Sequence, residues 1–168
     1  MKIGGHRLRQ HLRLLSPLLA LLAGVWVLRW IIGCVNTSAW LLQVVSLTLF
    51  TPVAVLLAVL TLHVRRFGGY ANVVVCSLLL NAWTETLIVL AIGFSVLTGI
   101  SNIYTAPMFS PSDAGPHHLR HIRGHLTYGI GLSTLTGAAV GSLLLFLLRK
   151  LAPMGPAPAE RSGQNWKA

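Results

Sequence analysis

The sequence has very few acidic residues: among 168 residues only Glu85, Asp113 and Glu160 carry a carboxylate side chain. Charged residues of both signs make up 10% of the chain, whereas ordinary globular proteins have roughly 25%. A soluble domain of this composition would have too few polar side chains to cover its surface. The sequence also has no pair of neighbouring carboxylates for acid–base chemistry, no phosphate-binding loop, no GxSxG motif and no CxxC pair. These absences favour a non-catalytic protein over a self-contained enzyme.

What the sequence has instead is long apolar runs. Hydrophobic residues make up 54% of the chain and the mean hydropathy is +0.72. A membrane-spanning helix needs about 20 mainly apolar residues. Four stretches meet this requirement, at 14–33, 40–64, 71–97 and 126–148. We therefore predict an all-α polytopic membrane protein, a four-transmembrane-helix bundle of up-down-up-down topology in one domain, 1–152. The proline-rich segment 153–168 is predicted to be a disordered cytoplasmic tail.

The basic residues indicate which side of the membrane each loop faces. Of the 13 lysine and arginine residues, all but Arg29, Arg120 and Arg123 fall on one side of the predicted spans. Because basic residues are enriched on the cytoplasmic side, both termini are predicted to be cytoplasmic, in a bacterial-type inner or plasma membrane. The net charge of +10 is spread over short clusters between apolar runs and forms no basic face. This pattern favours the lipid bilayer as a partner and argues against nucleic acid.

Glu85 is the acidic residue inside a predicted span, and it follows a polar stripe formed by Ser77, Asn81 and Thr84. A charge at this depth is costly and normally faces a partner inside the bundle. At about 1.5 Å per residue, Glu85 should lie about 12 Å below the outer boundary and Arg29 about 7 Å below it. We therefore predict an intramembrane ion pair between Arg29 and Glu85. One alternative is a protonatable carboxyl group in a proton or quinone pathway, and another is a side chain that extends toward the membrane surface without a partner.

The fourth predicted span carries small residues four positions apart, at Gly129, Ser133, Gly137 and Gly141. Small side chains on one helix face allow another backbone to approach closely. The stripe therefore predicts a helix-packing surface, which includes a GxxxG match between Gly137 and Gly141. The neighbouring helix could belong to this chain or to another membrane-protein subunit.

Histidines are the candidate ligands for a cofactor. If the segment before the fourth span is helical, His117, His121 and His125 share one face, and imidazoles at this spacing can bind a divalent metal. His11 and His63 both fall at the inner boundary, where they could approach one haem b. Neither site is supported by further ligands, so the sequence favours no bound cofactor over these two alternatives.

From these features we predict a non-catalytic integral membrane subunit that anchors or stabilises a multiprotein membrane complex, for example an electron-transfer complex. Other membrane-protein subunits are then its partners. One alternative is a small electron or proton carrier linked to haem or quinone. A second alternative is a small transporter or channel.

Overall fold

The computed structural model describes residues 2–35, 39–106 and 117–153, and their regular secondary structure is helical apart from one short β-hairpin. The elements, in chain order, are β1 (Lys2–Ile3), β2 (His6–Arg7), α1 (Leu8–Cys34), α2 (Ala39–Val44), α3 (Leu47–Val64), α4 (Tyr70–Thr98), α5 (His117–Gly124), a π-helical segment (His125–Gly129) and α6 (Ile130–Leu151). Four helical stretches are long and apolar enough to cross a membrane: Leu8–Cys34, Trp40–Val64, Tyr70–Thr98 and His118–Leu151. The prediction of an all-α chain with four helices long and apolar enough to span a membrane is confirmed.

Two helix boundaries differ from those expected. The first helix begins at Leu8 rather than at 14, and the last helical stretch begins at His117 rather than at 126. Both extensions are rich in histidine and arginine, so their hydropathy is low although their backbone is helical. The predicted disordered tail, after its first residue, lies outside the described residues.

The second span is interrupted, although the sequence predicts a continuous helix over 40–64. The break lies between α2 and α3, where the Ser46 hydroxyl accepts a hydrogen bond from the Leu49 backbone N–H at 3.3 Å. Serine side chains compete in this way for backbone donors and favour helix N-termini. Ser46 therefore begins a new helix in the middle of an apolar run.

The core of the bundle is organised around α4. In the apolar part of each stretch, the buried share of residues is 56% in α4, compared with 22% in α1 and 11% in the last stretch. The Trp83 indole N–H donates to the Leu19 carbonyl of α1 at 3.0 Å. On another side of α4, the Thr84 hydroxyl lies 2.8 Å from that of Thr51 in α3. The helix ends at Gly99, whose φ of +71° is the left-handed conformation that glycine adopts at helix ends.

Contacts at the two ends of the bundle define two regions that are used below. At the end that carries the β-hairpin, called the hairpin end, the Arg149 guanidinium donates to the Gly68 carbonyl at 2.9 Å. At the opposite end, called the loop end, the segment after Gly99 folds back on α1, and Ile103 packs against Gly33. In that segment the Asn102 amide donates to the Ala91 carbonyl at 2.7 Å, which fastens the fold-back to α4.

Candidate functional site: a carboxylate–imidazole–imidazole chain

The site is centred on Glu85, which lies about halfway along α4. Its side chain is only 12% exposed, and its carboxylate oxygen Oε2 lies 2.5 Å from Nδ1 of His125. A carboxylate at this depth needs a hydrogen-bonding partner, because desolvation of an unpaired charge is expensive. The π-helical segment begins at His125 and supplies that partner from the neighbouring helix.

A second imidazole extends this contact. Nε2 of His125 lies 3.0 Å from Nε2 of His121, and the two ring centroids are 4.7 Å apart. Because Nδ1 of His125 faces a carboxylate, it is the nitrogen that carries hydrogen and donates. In the neutral ring Nε2 is then an acceptor, and it receives the Nε2–H of His121. Glu85, His125 and His121 form a continuous chain of hydrogen bonds, called here the proton chain.

Two local features of the backbone make the chain possible. First, residues 125–129 form a π-helix, an uncommon widening of the helix that is often found at functional sites. Second, Gly129 lies against the Glu85 carboxyl group. A Cβ atom added at position 129 would lie 2.8 Å from Cδ of Glu85 and 2.9 Å from its Oε2. Any larger residue at 129 would therefore displace the carboxylate.

The predicted polar stripe continues from Glu85 along α4 toward the hairpin end. The Asn81 amide donates to the Ser77 carbonyl at 2.8 Å, and the Ser77 hydroxyl donates to the Thr134 carbonyl of α6 at 3.2 Å. Beyond Ser77, α4 carries Val73, which is fully buried against Gly141 of α6. The stripe is therefore polar from Glu85 to Ser77, and it ends at the apolar contact between Val73 and Gly141.

The stripe of small residues on α6 meets helices of the same chain. A Cβ atom at Gly141 would lie 2.9 Å from Cγ1 of Val73 in α4 and 3.0 Å from Cγ2 of Val59 in α3. A side chain at Gly137 would overlap the Ser77 hydroxyl. Ser133 lines a cavity between these helices. Of the two alternatives that the sequence leaves open, the contact with a helix of this chain is the one that the structure contains.

Arg29 and Glu85, which the sequence predicts as an ion pair, lie in different places. The Arg29 guanidinium carbon is 5.0 Å from the centroid of the Tyr104 ring, and both residues are buried. The neighbouring Trp30 contacts Phe94, nine residues beyond Glu85 on α4. Arg29 is thus about 13 Å closer to the loop end than Glu85, which is too far for a direct ion pair. Burial raises the pKa of Tyr104 to about 12, although the Arg29 charge acts in the opposite direction.

His11 and His63 have separate partners and form no shared site. His11 is fully buried, with Nδ1 3.1 Å from the Arg7 carbonyl and Nε2 2.7 Å from Oδ1 of Asn72. Nε2 of His63 donates to the Ala152 carbonyl at 3.1 Å. A haem iron could bind His11 only by displacing one of these two oxygen atoms from the ring, so its surroundings do not fit that role.

The predicted metal site at His117, His121 and His125 is helical, as its spacing requires, but the His117 side chain lies outside the described part of the structure. Among the side chains that are described, no three from histidine, cysteine, aspartate and glutamate could hold one metal ion. In the proton chain the reason is geometric, since Glu85 and His121 contact opposite nitrogens of His125. The three groups therefore do not converge on a point.

The pairing of Glu85 with His125 is the contact that the sequence analysis missed. Its signal was present: His125 immediately precedes the last apolar run, and Gly129 lies one turn further on. The prediction that the fourth span begins at 126 placed His125 at the membrane boundary, whereas the helix that begins at His117 carries it inside the bundle. Comparison with protein-family models, curated proteins and solved structures finds no match for this chain.

Proposed function

We propose that this chain is a small proton-handling membrane protein, in which Glu85, His125 and His121 transfer protons between the outer aqueous boundary and the middle of the bilayer. The observation that supports this proposal is the uninterrupted proton chain, with contacts of 2.5 Å and 3.0 Å. Both distances are within the range in which a proton moves between hydrogen-bonded groups. This function corresponds to the proton-carrier alternative of the sequence analysis.

The direction of transfer follows from the proposed orientation. An up-down-up-down bundle with both termini in the cytoplasm makes the loop end the outer end, as the distribution of basic residues predicts. The contacts of Trp83 with Leu19 and of Trp30 with Phe94 support parallel α1 and α4. The packing of Gly129 on Glu85 and of Gly141 on Val73 supports antiparallel α4 and α6. His121 is then the outermost member of the chain and Glu85 the innermost.

In this mechanism each imidazole takes a proton on one nitrogen and releases another from the opposite nitrogen. A proton that reaches His121 from the outer side moves the Nε2–H of His121 to Nε2 of His125. The Nδ1–H of His125 then moves to the Glu85 carboxylate, which becomes a neutral carboxylic acid. The net result is one proton carried to Glu85, after which the two rings return to their original tautomers. Because Val73 closes the polar stripe, the transfer ends at mid-membrane and does not cross the bilayer.

The proposal is tested by infrared difference spectroscopy of the protein in lipid nanodiscs as the external pH is lowered. We expect the C=O stretching band of a protonated carboxyl group, lost in Glu85→Gln and strongly slowed in His121→Gln. His63→Gln is the control, because the His63 ring contacts the Ala152 carbonyl and no member of the proton chain. A band that persists in Glu85→Gln would overturn the proposal.

The orientation has its own test. Reporter tags at Met1, within the turn at Gly68 and after Pro153 should all report the cytoplasmic side, and a tag near Ser110 should report the outer side. If a tag at Gly68 is accessible from outside, the orientation is the opposite of the one proposed, and the proposed direction of proton transfer is reversed as well. The same experiment in a bacterial host would show whether the chain inserts in the inner membrane.

The anchoring role in a multiprotein complex stays a prediction. Its main argument was the small-residue stripe of α6, and the residues of that stripe contact α3 and α4 instead. A partner subunit would have to use another surface, such as the exposed face of α6 that carries Leu132, Leu135 and Leu143. Lipid would cover these side chains equally well.

A further inference from the structure

A cavity of about 350 Å³ lies between α3, α4 and α6 and reaches the Glu85 side chain. It is at the innermost end of the proton chain, where a transferred proton would arrive. A volume of this size is at the lower end of the range found for small-molecule pockets, so it accommodates a head group and not a whole lipid.

The wall of the cavity combines apolar and hydrogen-bonding groups. Apolar atoms form most of its surface, and leucine, isoleucine, valine and proline are among the lining residues. The polar part of the lining consists of Thr48, Thr51, Asn81, Thr84, Glu85, Ser133 and Thr136. Hydroxyl and amide groups can donate to a carbonyl oxygen or accept from a hydroxyl group of a ligand. The lining thus suits a largely apolar molecule with a few polar atoms.

Charge restricts the ligand further. No lysine or arginine is among the lining residues, and Glu85 is already hydrogen-bonded to His125. A phosphate or carboxylate head would be placed beside a carboxylate without a cation to compensate it, which is unfavourable in a low-dielectric environment. A neutral head that carries hydroxyl or carbonyl groups has no such cost.

Access to the cavity is lateral. Thr48 and Pro52 of α3 and Leu132 and Thr136 of α6 line it and are also exposed on the surface of the bundle. They lie in the membrane-spanning stretches, so the mouth of the cavity faces lipid. A ligand would therefore enter from the bilayer, with its apolar tail left among the acyl chains.

We infer that this cavity binds the ring of a quinone-class lipid, that is, a neutral ring with carbonyl or hydroxyl groups on an apolar tail. This inference rests on the proposed function, because a ligand beside a proton chain must be one whose head changes its protonation. A quinone does so when a separate redox protein delivers two electrons to the ring, because each of its two carbonyl oxygens then takes up one proton to give the quinol. Aliphatic alcohols and sterols undergo no such change. The ring oxygen lies in this arrangement within reach of the Glu85 carboxyl group.

The test is photolabelling of the purified full-length chain in nanodiscs with an azido-benzoquinone that carries a decyl tail, followed by peptide mapping. We expect saturable labelling of α3, α4 or α6 peptides that is displaced by unlabelled decyl-benzoquinone and not by decanol. Thr136→Trp should weaken binding about tenfold, because an indole ring fills the mouth of the cavity. Leu135→Trp is the control, since Leu135 is 69% exposed and lies outside the cavity, and it should bind like the wild type.

Equal labelling of the wild type and Thr136→Trp would overturn the inference, because the label would then bind outside the cavity. Displacement by decanol as effective as by the quinone would also overturn it and would identify the cavity as an acyl-chain groove. The carboxyl band is measured without added ligand, so the two proposals fail separately. Labelling at the cavity without the band would overturn the proton-handling function and leave quinone binding in place. The band without labelling would overturn quinone binding alone.

Discussion

His11 at the hairpin end and His125 in the middle of the bundle are both held by side chains of α4, but the two rings face different chemistry. His11 is fully enclosed, and its nitrogens meet a backbone carbonyl and the amide of Asn72, neither of which exchanges protons. The side chain of His125 is 23% exposed and meets a carboxylate on one side and a second imidazole on the other. The first arrangement stabilises a fold, whereas the second can also transfer a proton.

At the hairpin end, His11, Asn72 and Gly4 form a group of contacts, called here the hairpin-end cluster, that holds the N-terminus against α4. The Asn72 amide donates to the Gly4 carbonyl at 3.2 Å while its oxygen contacts His11. Gly4 and Gly68 both have positive φ, and a Cβ atom on either would collide with the Asn72 side chain. These glycines therefore satisfy two requirements at once, an unusual backbone conformation and close approach.

The comparison shows that burial of a histidine is not by itself evidence of function. The groups that contact the ring indicate whether a buried histidine has a chemical role. A titratable neighbour, in a chain of hydrogen bonds that leads toward water, is evidence for such a role. The predictions below test whether the hairpin-end cluster and the proton chain are independent. A substitution that disrupts one of them should leave the other intact.

The largest effect is expected from Gly137→Leu. The new side chain would overlap Ser77 and push α6 away from α4, at a cost of about 3 kcal/mol in the free energy of unfolding. The same displacement should separate His125 from Glu85 and abolish the carboxyl band, while the hairpin-end cluster persists. Thermal unfolding in detergent measures the loss.

Gly131→Leu is the matched control on the same helix, because a Cβ atom at position 131 meets nothing within 4 Å. It should be neutral or slightly stabilising, since leucine is the better helix former. Equal destabilisation by the two substitutions would show that the stripe is not a packing surface.

Asn72→Leu should lower the free energy of unfolding by about 2 kcal/mol, because His11 and the Gly4 carbonyl lose their partner in a buried position. The carboxyl band of Glu85 should be unchanged. His6→Phe keeps the ring stacked on Phe67, whose centroid is 3.7 Å from that of His6, and should cost little. Loss of the carboxyl band in Asn72→Leu would show that the two clusters are coupled.

Glu85→Gln should cost only about 1 kcal/mol, because the amide oxygen can still accept from Nδ1 of His125, although the charge-assisted part of the bond is lost. Glu85→Leu should cost more, since it leaves the imidazole without an acceptor. Unfolding curves of the two variants give the difference. A larger loss for the glutamine variant would argue against the hydrogen bond.

The smallest effect concerns Tyr104, which lies outside both clusters. Its pKa is raised from 10 to about 12 by burial, so the unfolded chain ionises first as the pH rises. The folded state should therefore lose stability between pH 10 and pH 12, and not below pH 10. Tyr104→Phe should remove this part of the decline, as measured by melting temperatures at alkaline pH. An unchanged alkaline decline in Tyr104→Phe would contradict the assignment.

The sequence alone was sufficient to predict the four helices that can cross a membrane, because a run of about 20 apolar residues is the length that a spanning helix requires. It also identified Glu85 as the buried acid that needs a partner, and His125 as a residue of interest. It did not identify the pair, since Arg29 was a plausible partner by depth alone. Hydropathy also missed the helix that begins at His117, because histidine and arginine lower the hydropathy of a segment without preventing a helix.

Only the tertiary structure decided the partner of Glu85, because that choice depends on the position of α6 along α4. Gly141 and Gly137 allow the two helices to meet closely, and Gly129 leaves space for the carboxylate itself. The π-helical turn at His125 then carries the imidazole to it. Apolar composition is a property of each segment by itself, whereas this register is a property of two helix surfaces in contact, and no single segment of the sequence contains it.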